Sequence, residues 1–195
     1  GELLSGSWDG SAKVWTLGAG ESTCTATLGG HENGVCVLGI PNGDVATGST
    51  GKQENGGPVQ GFQIRIWRNG SVVATVKDHS GPVRSLAMAP GLGFLSTSND
   101  GTVVLRDFSG APLVVMQHPH LGNGENFVYC GASSSSSSSS SSASQIQPEY
   151  LSCSEDATVA VWKGGQAVDV IQHPDSVWAV CALPNGDIAT ACNDG

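Results

Sequence analysis

The stretch Leu151–Gly195, L-S-C-S-E-D-A-T-V-A-V-W-K-G-G-Q-A-V-D-V-I-Q-H-P-D-S-V-W-A-V-C-A-L-P-N-G-D-I-A-T-A-C-N-D-G, decides how the chain is read. Two short alternating apolar runs meet at an acidic tight turn, Glu155-Asp156, and Trp162 follows six residues after the Asp. His173 comes next, and the pattern then begins again, with Asp194 standing 38 residues after Asp156. The spacing assigns roles. An Asp between the second and third strands can accept hydrogen bonds from its own turn and from the His of the preceding loop. That His can reach a Ser or Thr on the second strand, and the Trp packs over the group, so that buried polar atoms satisfy one another.

The same unit recurs upstream. Residues 2–7 form an alternating run, Trp8-Asp9-Gly10 a turn, and residues 11–16 a second run with Trp15 six residues after Asp9. Residues 22–28 then lead to His31. The next unit runs through 35–40, 44–48 and 62–67, but a polar insertion at 49–61, with no core-forming pattern, replaces its Asp turn. His79 opens the clearest unit: 83–89, 93–98, the Asp100-Gly101 turn, then 103–107. His79 stands 21 residues before Asp100, as His173 does before Asp194. Arg106 takes the tryptophan position there, so this unit is expected to keep only part of the network. The following unit starts near His118 or His120, runs through 126–131 and is broken by a Ser-rich insertion at 132–148, before it resumes at Tyr150.

A repeat of roughly 40 residues with these landmarks is the signature of the four-stranded blade of a WD40 propeller. The expectation is an all-β WD40 propeller over residues 1–195, incomplete, with about four blades' worth of an expected seven. Open ends of that kind expose unpaired strand edges that invite association. The ten serines Ser133–Ser142 are low-complexity and too polar to order themselves by burial. They fall between the first and second strands, on the face opposite the Asp turns, as a solvated insertion. Phosphorylation there is the functional alternative.

Composition narrows the function classes. With 28 Gly and 9 Pro in 195 residues, the chain turns often. Only 13% of residues are charged, about half the usual share, so many strands are expected to be covered on both faces. A net charge of −9 argues against nucleic acid or an anionic membrane as partner. Six scattered cysteines without a C-x-x-C pair read as reduced core thiols rather than disulfides or a zinc site. No signal or spanning segment is visible. The expected setting is cytoplasmic and nuclear.

Four residues before each Asp stands a hydroxyl: Ser5, Ser96, Ser152 and Thr190. Ser, His and Asp together suggest a nucleophilic triad. The set repeats in unit after unit, however, whereas an active site is needed once. The structural reading therefore assigns Asp9, Trp15, His79, Asp100, Asp156, Trp162, His173 and Asp194 to the polar network that holds the blades. No metalloprotease, nucleophile-elbow, phosphate-loop or dinucleotide motif is present. No catalytic residue, metal site or cofactor is expected.

Four stretches carry a family resemblance: G-S-W-D-G-S-A-K-V-W (6–15), H-S-G-P-V-R-S-L-A (79–87), S-E-D-A-T-V-A-V-W-K-G-G (154–165) and S-V-W-A-V-C-A-L-P-N-G-D-I (176–188). They resemble the propeller of the phospholipase A-2-activating protein family, ubiquitin-binding adaptors of the AAA unfoldase known as valosin-containing protein. The resemblance covers nearly the whole chain outside the two insertions. It departs at Cys36, where the family tends to carry an aromatic, and at 49–61. It implies a non-catalytic ubiquitin-binding module acting in ubiquitin-dependent protein degradation, with contact to the unfoldase only through domains this chain lacks. The rival readings are a generic WD-repeat scaffold, such as a ubiquitin-ligase receptor for a phosphorylated motif, and an enzyme of propeller fold. The first needs several converging Arg or Lys, and the chain has 8 in all. The second needs one unrepeated polar cluster.

The partner is expected on the face that carries the Asp turns and His loops. Two sets of positions emerge there in each blade. Residues before the Asp are Trp8, Asn99, Glu155 and Asn193, and residues after the first valine of the inner strand are Cys36, Arg84, Tyr129 and Trp178. Each has an alternative use in packing between blades. Together, Trp8, Arg84, Tyr129 and Trp178 supply the residue types enriched at protein–protein hot spots, with Asn99 and Glu155 beside them.

Overall fold

The computed structural model describes residues 1–53, 57–121, 125–134 and 150–195. Every regular element among them is a β-strand. Three four-stranded antiparallel sheets carry the fold. The first joins Val35–Gly39 (β4), Val45–Ser49 (β5), Ile64–Arg68 (β8) and Ser71–Val76 (β9). The second joins Val83–Ala89 (β10), Gly93–Ser98 (β11), Thr102–Arg106 (β12) and Pro112–Gln117 (β13). The third joins Val128–Ser133 (β14), Tyr150–Ser154 (β15), Thr158–Lys163 (β16) and Gln166–Gln172 (β17). A three-stranded sheet, Glu2–Gly6 (β1), Ala12–Leu17 (β2) and Ser22–Leu28 (β3), precedes them, and a pair, Val177–Ala182 (β18) and Ile188–Cys192 (β19), follows.

Each sheet runs in sequence order from an inner strand outward, and successive sheets touch through β1, β4, β10, β14 and β18. This is a propeller arrangement, and its core lies between the blades. One apolar layer joins Ile40, Ile64, Ile66, Val83 and Phe94, and the next joins Leu95, Val103, Met116, Val128 and Trp162. A third joins Leu151, Val159, Val177 and Val180. Middle strands thus have both faces covered: β11 and β15 are buried at every residue. The outer strand β13 is exposed except at Met116. Small hydroxyls and continuous apolar runs suit the former, which explains the low charge content.

One expectation is corrected and two details are added. Within the polar insertion, Lys52–Gln53 (β6) pairs with Val59–Gln60 (β7) as a short hairpin. The cysteines are not all core thiols: Cys24 and Cys181 are exposed, and only Cys153 is buried. The Asp156 turn lacks the glycine found after Asp100, and Ala157 adopts φ 68° in the left-handed region instead. The serine run lies, beyond Ser134, outside the described residues, between the first and second strands of its blade.

Candidate functional site

Two layers build the face that carries the Asp turns. The lower layer is the polar network. In the second full blade, His79 joins Asp100 through Nδ1 at 2.8 Å and Ser96 through Nε2 at 2.9 Å. Thr102 donates from both its backbone N–H (2.9 Å) and its hydroxyl (2.6 Å) to Asp100. Burial pushes the Asp100 carboxyl up, but the bonds from His79 and Thr102 outweigh it and hold the group well below the usual range. Arg106 stands where a tryptophan stands elsewhere, and its Nε donates to Ser96 at 2.9 Å. Trp162 donates to Ser152 (2.8 Å), Trp67 to Thr47 (2.8 Å) and Trp15 to Ser5 (3.0 Å) in the same way. The expectation of a partial network at Arg106 is therefore corrected. The guanidinium reproduces the indole's hydrogen bond and adds a bidentate pair with Asp78 at 2.7 and 2.8 Å.

The third full blade settles which histidine belongs to it. His118 is fully buried and bridges Ser152 (2.8 Å) and Thr158 (2.9 Å). His120 stays half exposed, with Nδ1 3.5 Å from Asp156. Asp156 is buried, accepts from the Thr158 hydroxyl at 2.6 Å and the Thr158 N–H at 3.0 Å, and lies 3.9 Å from His118. The remaining members are looser. Asp9 is exposed and caps its own turn by accepting from Ser11. His173 bonds Thr190 at 2.9 Å, and Asp194 is exposed rather than joined to it. Thr102 and Thr158 also belong to the network, beyond the Ser, His, Asp and Trp positions that the spacing singles out. Their signal is the hydroxyl two residues after each Asp, at Ser11, Thr102 and Thr158.

The upper layer is the rim. In β10, β14 and β18 the ladder slips by one residue, between Val83 and Ser85, Val128 and Cys130, and Val177 and Ala179. The unpaired residues are Arg84, Tyr129 and Trp178. A bulge of this kind re-aims a side chain, here upward from the inner strand. In β4 the register is continuous, and Cys36 stays paired opposite Gly48. Tyr129 and Trp178 stack with ring centroids 4.6 Å apart and planes 2° from parallel. The Arg84 guanidinium lies 5.0 Å from the Tyr129 centroid on the same column. The Tyr129 hydroxyl donates to Glu155, and Trp178 Nε1 donates to Asn193 at 3.3 Å. Burial, then the Glu155 acceptor, push the Tyr129 phenol up to about 12, so it donates as the neutral form. Burial likewise pushes the Cys36 thiol up to about 12.

Trp8, Cys36, Arg84, Tyr129 and Trp178 line one cavity of about 290 Å³. Trp8 is 72% exposed and lies against Gly34, where an added Cβ would come within 2.7 Å of its ring. Trp178 is 49% exposed. Asn99 stands outside that lining, its backbone N–H donating to Pro82. Among the described residues, no group of three or more His, Cys, Asp or Glu could hold a metal ion, and no helix is long and apolar enough to cross a membrane.

Known proteins with this pattern of blades are identifiable. The WD domain, G-beta repeat family matches residues 1–16 and 70–107. The solved WD40 beta propeller domain of Doa1 superposes with a TM-score of 0.76 at 30% identity, over 100% of this chain and 58% of that one. The chain is a set of WD40 propeller blades. The ubiquitin homeostasis protein lub1 of Schizosaccharomyces pombe is 36% identical over 99% of these WD40 blades and 23% of its own length. The ubiquitin fusion degradation protein 3 homolog of Caenorhabditis elegans is 29% identical over 99% of the chain and 22% of its own length. The chain thus spans less than a quarter of the length of these curated relatives, and its resemblance to the phospholipase A-2-activating protein family runs from end to end.

Proposed function

We propose that these blades form a non-catalytic ubiquitin-binding module that serves ubiquitin-dependent protein degradation in the cytoplasm and nucleus. The observation that carries the proposal is the convergence of Trp8, Arg84, Tyr129 and Trp178 on one exposed cavity of the Asp-turn face. Stacked aromatics there offer a rigid apolar platform at low entropic cost, with Glu155 held beside it. Ubiquitin presents an apolar patch ringed by basic residues, which suits such a platform on a chain of net charge −9. The names of the relatives, ubiquitin homeostasis and ubiquitin fusion degradation, point the same way. Engagement of an AAA unfoldase would fall to other domains.

A receptor for phosphorylated motifs is the weaker reading, because Arg84 is the one basic side chain lining the cavity among the described residues. Titration of isotope-labelled ubiquitin with the full-length protein, followed by NMR, tests the proposal. Perturbations should concentrate on the apolar patch and weaken when Trp8, Arg84, Tyr129 or Trp178 is replaced by Ala. Unchanged affinity in all four variants, with the wild type binding, would move the site elsewhere.

A further inference from the structure

Six cysteines occupy this chain, and two of them face each other. Cys130 in β14 and Cys153 in β15 are direct partners in the antiparallel ladder. Residues opposite one another in such a ladder have Cα atoms about 4.5–5.5 Å apart, inside the range of about 4.4–6.8 Å that a disulfide spans. Both side chains belong to the apolar layer between the β14–β17 blade and β18, so they share one face of the sheet. The two thiols lie within hydrogen-bonding reach of each other, and Cys130 Sγ also reaches the Val180 carbonyl at 3.8 Å. The other cysteines have no such neighbour in the ladders. Cys36 faces Gly48, Cys181 faces Ala189, Cys192 faces Val177, and Cys24 faces Trp15.

We propose that Cys130 and Cys153 are a redox pair that closes to a cross-strand disulfide on exposure to hydrogen peroxide and reopens with a small thiol. Cys130 is the half-buried member and Cys153 the buried one, which sets the order of events. The Cys153 thiol beside it lowers Cys130, whereas the same contact and burial push Cys153 up. The Cys130 thiolate attacks one peroxide oxygen, breaking the O–O bond, to give a sulfenic acid and hydroxide. The Cys153 sulfur then attacks the Cys130 sulfur. The S–O bond breaks, the hydroxyl leaves as water with the Cys153 proton, and the S–S bond forms. Two thiols lose one electron each and the peroxide gains both. A small thiol such as glutathione returns the pair by exchange through a mixed disulfide. The closed bond would fasten the two strands that flank the serine-rich insertion, enclosing residues 131–152 in a covalent loop.

The test treats the full-length protein with a small excess of hydrogen peroxide, blocks the remaining thiols by alkylation, and maps the digest without reductant. The expected result is a peptide pair linked through Cys130 and Cys153 that separates on addition of dithiothreitol. In a Cys153→Ser variant, whose hydroxyl can still donate to the Cys130 sulfur but cannot form the disulfide, peroxide with a cyclic diketone present should leave a sulfenic acid at Cys130 that the diketone captures. Should that variant fail to fold, the wild-type digest alone still decides. Free Cys130 and Cys153 under conditions that oxidise the exposed Cys24 and Cys181 overturn the proposal. So does a sulfinic acid at Cys130 beside a free Cys153.

Discussion

Arg106 and Asp78 form a bidentate ion pair, 2.7 and 2.8 Å, with the guanidinium fully buried and the carboxylate on the surface side of it. The same Arg106 donates to Ser96 and to the Gly110 carbonyl, so its hydrogen-bonding capacity is spread over three partners. Truncating Asp78 to Ala leaves a buried guanidinium without its counter-charge. A loss on the order of 3–5 kcal/mol is expected from breaking a buried pair, trimmed because Asp78 itself is partly solvated. Arg106→Lys should recover little of what Arg106→Ala loses, since an ammonium cannot serve Ser96 and both Asp78 oxygens from one plane. Denaturant unfolding of the full-length protein measures both, and a lysine variant as stable as the wild type would contradict the geometry.

Asp156→Ala should cost more than Glu155→Ala, although the two are adjacent. Asp156 is buried and accepts from both donors of Thr158 and from the Leu121 N–H at 3.3 Å, and its removal strands them. The expected loss is on the order of 1–3 kcal/mol. Glu155 is half-buried and its carboxylate accepts from Tyr129, so its loss falls on the rim rather than on the network. Equal midpoints for the two variants in denaturant would argue against this division.

Stability should fall as pH drops below the ordinary histidine range. Burial, then the Arg65 charge, pull His31 down to about 4. Burial also lowers His118, against the opposing pull of Asp156. In the unfolded chain both titrate near ~6.5. Between those limits the unfolded chain binds protons that the folded chain refuses, so the histidine contribution is fully present above pH ~6.5 and is lost as pH falls toward the folded values. Asp100 and Asp156, held low in the fold, add a second loss below the ordinary carboxylate range. Denaturant midpoints measured across that window should slope downward with acid, and the slope should flatten in a His31→Gln, His118→Gln double variant.

The blades were legible because their landmarks sit at fixed spacing. His79 lies 21 residues before Asp100, and Ser96 four before it, and in the fold the three meet. Residue type alone misled at Arg106, where a charged side chain was read as a lost tryptophan although its Nε donates to the same hydroxyl. Spacing alone misled at His173 and Asp194, which stand at the expected separation yet do not pair. The rim was legible as positions gathered on one face, Trp8, Arg84, Tyr129 and Trp178 together, but the contacts among them were not. The strands around Arg84, Tyr129 and Trp178 do not alternate strictly between polar and apolar residues, so a one-residue bulge leaves no trace in them and the stacking of Tyr129 on Trp178 had no signal in the chain.

That stack supplies the last prediction. Tyr129 contributes a ring beneath Trp178 and a hydroxyl to Glu155, and the two roles separate by substitution. Tyr129→Phe keeps the ring but leaves the Glu155 carboxylate without its donor. Tyr129→Ala removes both, and Trp178 and Arg84 then lose the surface that orients them. If the rim is the ubiquitin contact, Tyr129→Ala should weaken binding by ~1–3 kcal/mol, whereas Tyr129→Phe should cost less than about 1 kcal/mol. A double-mutant cycle between Tyr129→Ala and Trp178→Ala should give a coupling of roughly 0.5–1.5 kcal/mol, as an aromatic pair contributes beyond its buried area. Calorimetric titration of ubiquitin into the wild type, the three single variants and the double variant reads both quantities, with thermal unfolding as the check that the blades stay folded. Strictly additive losses would mean that the two rings act separately, and the stack would then be packing rather than a binding platform.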